Sequence, residues 1–223
     1  MNKMFARLTG TVALIALLAT GCSMATAERG SMDLSMPRTS TTKYADLRTG
    51  LNTLFGEHVI LAAAATGAAL GGRQAEFKAA ADALDSNSID ISRAIGSVYD
   101  VEAEKAFLPL WRKHISFVVD YTVGAASNDK AKQDKAVSDL LGYADDFGAF
   151  LSSANPNLPK ATVAELVKSH ILTLKEVIDA QAAKDPVKAY TALRMAYNHM
   201  QMIANPLADA IAKQFPDRYA SRP

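Results

Sequence analysis

Three of the four histidines in this chain are evenly spaced: His58, His114 and His170 lie 56 residues apart, and His199 follows 29 residues later. A fixed period of this length marks repeated supersecondary units, each too small to bury its own apolar face and therefore obliged to pack on its neighbours. It limits the chain to architectures in which one structural unit recurs.

Shifting the sequence by 56 residues tests this. Leu51, Phe107 and Val163 coincide, as do Leu54, Leu110 and Leu166. Downstream, Leu84 meets Leu140 and Ala196, Ile91 meets Phe147 and Ile203, and Ile95 meets Leu151 and Leu207. Chance produces an apolar triple about one time in eight in a chain that is 49% apolar, so several in register favour a threefold repeat.

The units are helical. Apolar residues recur at spacings of three and four, and strand-like alternation is scarce. Gly71-Gly72-Arg73, Ser127-Asn128-Asp129 and Lys184-Asp185-Pro186 break the three units into hairpins. Asp185 followed by Pro186 starts a helix, as N-cap and first helical residue. Thr162 with Glu165 reads as a capping box. Pro109 predicts a kink or a restart after a separate turn over 101–107, and Asn205-Pro206 predicts another. The reading is all-α: a bundle of about six helices from three tandem hairpins, over roughly 44–70, 75–96, 101–124, 131–153, 162–183 and 186–214.

Each evenly spaced histidine sits on an apolar helical stripe. Leu51, Leu54, Leu61 and Ala65 flank His58 on the same face; Phe107, Leu110, Phe117 and Tyr121 flank His114; Val163, Leu166, Thr173 and Val177 flank His170. Such a face turns inward. Folding each hairpin about its turn places His58 opposite Asn87, His114 opposite Tyr143, and His170 opposite His199. Three residues further along the return helices are Asp90, Asp146 and Met202. Side-by-side hairpins would then gather four imidazoles, an amide, a phenol, two carboxylates and a thioether into one layer. Imidazoles on facing helices are how metal and haem sites are built in bundles, and His170 with His199 is the leading pair. Met200 and Met202 would favour copper or haem iron over zinc if they point inward. The other reading is structural: each histidine bonds its hairpin mate and tightens the interface. Glu57 points away from the His58 face, as a rim or inter-helix contact, and Trp111 could shield a site or simply fill the core.

The N-terminus supplies an address. Lys3 and Arg7 precede an apolar stretch, Leu8 to Ala19, too short to span a bilayer comfortably. Leu18-Ala19-Thr20-Gly21-Cys22 resembles the lipobox of bacterial lipoproteins. The resemblance implies cleavage after Gly21, lipid on Cys22 and acyl (palmitate-type) anchoring on the extracytoplasmic side of the cell envelope. Ser23 permits the outer membrane in a Gram-negative host. Segments are expected as a signal peptide over 1–21, a lipidated cysteine and tether over 22–42, a helical domain over 43–216 and a tail over 217–223. With its only cysteine lipidated, the chain has no thiol for disulfides or thiolate ligation. Removing Lys3 and Arg7 leaves 22 basic against 23 acidic residues, a balance that offers nucleic acid no basic patch.

No metalloprotease His-Glu-x-x-His, haem-attachment, nucleophile-elbow, Walker or dinucleotide motif occurs, so nothing local points to catalysis. The stretches 51–58, 111–121 and 210–216 resemble a helical domain of secreted bacterial proteins, some labelled copper amine oxidase-like. That domain brings no established activity, and the cofactor-forming tripeptide of the oxidases is absent. Two functions follow. One is a lipid-anchored envelope protein that binds a transition metal (copper favoured, with iron or zinc possible) or haem through His58, His114, His170 and His199. The other is a non-catalytic envelope module with structural histidines.

Overall fold

The computed structural model describes residues 42–219; the expected signal peptide, Cys22 and most of the expected tether fall outside them. The described residues form seven helices and no strand: α1 (Lys43–Leu70), α2 (Gln74–Val98), α3 (Val101–Ser127), α4 (Lys130–Ala154), α5 (Lys160–Ala182), α6 (Pro186–Gln214) and the single turn α7 (Pro216–Tyr219).

The hairpin turns share one construction. Gly72, Asn128 and Lys184 take left-handed backbone angles, with φ of 69°, 55° and 58°. Behind each, the next amide closes a six-residue ring: Arg73 onto Ala68, Asp129 onto Gly124, and Asp185 onto Ala180. This is the helix-ending arrangement that reverses the chain within a few residues and satisfies the last carbonyls. Asp129 and Asp185 then cap the following helices, accepting from the Lys132 and Lys188 amides.

Both internal prolines lie within continuous helices, so neither the expected restarts nor the separate turn over 101–107 is present. Pro109 lies inside α3 and Pro206 inside α6. Each is exposed, as are Lys105 and Met202 one turn earlier, so the freed carbonyls face water. Phe107 and Trp111 on one side, and Ala204 and Leu207 on the other, hold the two helices in the core across these points. The capping box at Thr162 also fails. α5 starts earlier, at Lys160 after Pro159, and Glu165 turns out to Lys168. Leu158 is buried beside the start, and Asn155 closes the preceding loop by accepting from the Asn157 amide.

The hairpins close into one bundle. Each helix packs on the next, and α6 returns to α1. α1, α3 and α5 also touch one another, so they form an inner set, with α2, α4 and α6 each packed between two of them. α1 is the one helix among the described residues long and apolar enough to cross a membrane. Its place in the bundle accounts for that composition: it contacts α2, α3, α5 and α6, and a helix surrounded on most sides is apolar on most sides.

Candidate functional site

A histidine cluster on the inner helices

His58 comes from α1, His114 from α3 and His170 from α5, so the three inner helices each contribute one ring. All three are buried. The Nε2 atoms of His58 and His114 are 3.4 Å apart. The His58 ring centroid lies 5.3 Å from that of His114 and 5.9 Å from that of His170. Trp111 closes one side, 4.9 Å from His58 and 4.7 Å from His114 by ring centroids. Tyr143 covers another, 5.0 Å from His114. Met200, buried in α6, shares with His114, His170 and Trp111 the lining of a cavity of about 30 Å³.

This centre is short of hydrogen bonds. Among the described residues, the buried side-chain atoms without a partner are the Nδ1 atoms of His58, His114 and His170, the Trp111 Nε1, the Tyr143 hydroxyl and the Asn87 Oδ1. Each such group costs about 1–3 kcal/mol, and native proteins keep few of them. Five of the six belong to the three imidazoles and to the Trp111 and Tyr143 rings packed on them. Three neutral imidazoles bring three N–H donors and three lone pairs, and one ring-to-ring contact is all they share.

Burial holds the rings neutral. It drives His58 well below the ordinary imidazole range, helped by the charges of His114 and His170. It lowers His114 to about 3, with His170 adding to the effect. The Trp111 backbone works weakly in the other direction, although its carbonyl makes no hydrogen bond of good geometry with the ring. Burial and then the charge of His199 lower His170 to about 4. Burial also raises the Tyr143 hydroxyl, which stays protonated.

The return helices meet the expected positions differently. Asn87 donates to the Leu54 carbonyl at 3.0 Å and to Glu57 at 2.8 Å. His199 Nε2 lies 2.9 Å from the Leu166 carbonyl. A helical carbonyl points forward to the amide four residues on, so the Leu54 and Leu166 oxygens stand near the heights of His58 and His170. Two of the three hairpin mates, Asn87 and His199, therefore meet backbone where a ring was expected, whereas Tyr143 faces His114 as expected. The inner partner of His170 is His58, and His199 is half-buried on the outer helix. Asp90 and Asp146 are exposed and paired with Arg93 and Lys113, and Met202 is 58% exposed. The expected layer thus loses both carboxylates and the Met202 thioether to the surface, because charged groups keep their hydration unless a buried partner replaces it. Neither the 56-residue spacing nor the apolar stripe distinguished Met200 from Met202.

Among the described residues no group of three or more His, Cys, Asp or Glu side chains has its donor atoms converged for a metal as placed. His58 and His114 already stand at a ligand-like separation. Two nitrogens bound to one tetrahedral ion at about 2.0–2.1 Å lie about 3.3–3.4 Å apart. No protein-family model, curated protein or solved structure matches this chain.

Proposed function

We propose that this chain is a lipid-anchored envelope protein whose helical body binds one monovalent copper ion through His58, His114 and His170. The supporting observation is the gathering of three buried, neutral imidazoles, one from each inner helix, with the Nε2 atoms of His58 and His114 3.4 Å apart. Its role would be sequestration or delivery.

Charge selects the ion. Three imidazoles and a thioether carry no charge, and the carboxylates Asp90 and Asp146 are at the surface. The cost of burying an ion scales with the square of its charge, so a divalent ion costs about four times a monovalent one in this apolar setting. Met200 brings a soft sulfur to the cavity that His114 and His170 also line, which suits Cu(I). His170 would close toward the other two rings on binding. The lipid anchor rests on Leu18-Ala19-Thr20-Gly21-Cys22 and on the apolar stretch before it.

Anaerobic titration with Cu(I) against a chromophoric chelator tests this. The wild type is expected to take one equivalent. His58→Ala, His114→Ala and His170→Ala should lose it, and His199→Ala should keep it, because the His199 ring is committed to the Leu166 carbonyl. Stoichiometry unchanged by the three inner substitutions would remove the proposal.

A second reading, a non-catalytic module with structural histidines, draws on the His58–His114 contact and on the three donor sets not being converged. It predicts no uptake at all. Membrane fractionation with a Cys22→Ala control tests the anchor separately.

A further inference from the structure

We infer that the cleft between α1, α2 and α3 is a second binding site, for a small uncharged apolar molecule. The cleft has a volume of about 400 Å³. That lies within the usual range of small-molecule sites, roughly 300–1,000 Å³. Ala62, Ala65 and Ala69 of α1 form one wall, Phe77 and Leu84 of α2 another, and Val119 of α3 stands at the rim, half exposed. His58 and His114 are also among its lining residues, so the cleft reaches inward as far as the cluster.

The next hairpin closes the corresponding space. The residues 56 positions on from Ala62 and Ala65 are Val118 and Tyr121. They line the corresponding space against α4 and α5, where about 20 Å³ remains. Tyr121 fills it and anchors its hydroxyl to Asp179 at 2.5 Å. Two alanines thus leave open in one hairpin what larger side chains close in the next. An unfilled apolar cavity costs contacts that a merely structural core would make.

The lining names the chemistry. None of its residues is charged. Two of its polar side chains are satisfied within the fold: Thr66 donates to Ala63 or Gln181, and Thr122 to Val118. An ionised ligand would be desolvated there without a counter-charge. A neutral hydrocarbon-like molecule would lose nothing but its contact with water. This inference does not depend on the copper reading, since the ligand needs only the apolar walls.

Fluorescence titration with the neutral probe N-phenyl-naphthylamine tests it on the full chain. The wild type is expected to bind one equivalent, and a sulfonated anilino-naphthalene should bind at least tenfold more weakly. Ala65→Tyr, which places at this wall the residue found 56 positions on, should weaken the neutral probe at least tenfold. Val119→Asp, at a half-exposed rim position that leaves the core packing alone, should do the same. His170→Ala should leave probe binding intact while abolishing copper uptake, because His170 does not line the cleft. No saturable binding by the wild type, or unchanged affinity in both Ala65→Tyr and Val119→Asp, would overturn the inference.

Discussion

Replacing His114 by leucine separates the two readings of the core. If the buried imidazoles are structural, the substitution removes useful contacts and lowers stability. If they are kept for a ligand, the metal-free protein carries unpartnered polar atoms at a cost of about 1–3 kcal/mol each, and an apolar side chain of similar size relieves it. We expect His114→Leu to stabilise the metal-free protein by about 1 kcal/mol, seen as a higher urea midpoint, while abolishing Cu(I) uptake; urea titration with and without copper reads both. Acid gives an independent check. The folded pKa values of these histidines lie below the unfolded value near 6.5, so the unfolded chain binds protons first as pH falls. Stability is then full above about pH 6.5 and declines until the pH passes about 4 for His170 and about 3 for His114. For His170 alone the loss is ~3 kcal/mol. Stability measured from pH 7 down to pH 4 should show this slope, and His170→Leu should flatten part of it.

At the scale of the helix, the turns and close approaches carry the specificity. Lys184 holds a left-handed backbone that a side chain opposes, whereas Gly72 holds the same conformation without strain. Lys184→Gly should stabilise the protein by about 0.5–1 kcal/mol, measured by chemical denaturation. Gly148 behaves oppositely. Helix propensity alone favours alanine there by about 1 kcal/mol. A Cβ on Gly148 would meet the Lys160 carbonyl at 2.6 Å, so α4 and the start of α5 would have to part. Gly148→Ala should therefore lower the melting temperature despite its better propensity.

For the molecule as a whole, the return of α6 onto α1 makes three hairpins one cooperative body. Trp111 sits at the centre, stacked near Phe55 and Phe107, and reports on that centre alone. Its fluorescence and the far-ultraviolet helical signal should lose amplitude at the same denaturant concentration. A row of hairpins opening one by one would separate them. The sequence by itself determined the helices, the turns and the inward histidines, because glycine, proline, aspartate caps and apolar spacing act within a few residues of chain. Helix starts such as Pro186 and the burial of His58, His114 and His170 were legible on those grounds. The closed bundle, the pairing of His58 with His114, the outward turn of Asp90 and Asp146, and the choice of Met200 over Met202 were decided only by the tertiary structure. Each depends on how far one helix is rotated and shifted against another. That rotation is set by side chains more than a hundred residues apart filling a common core, and no local pattern records it.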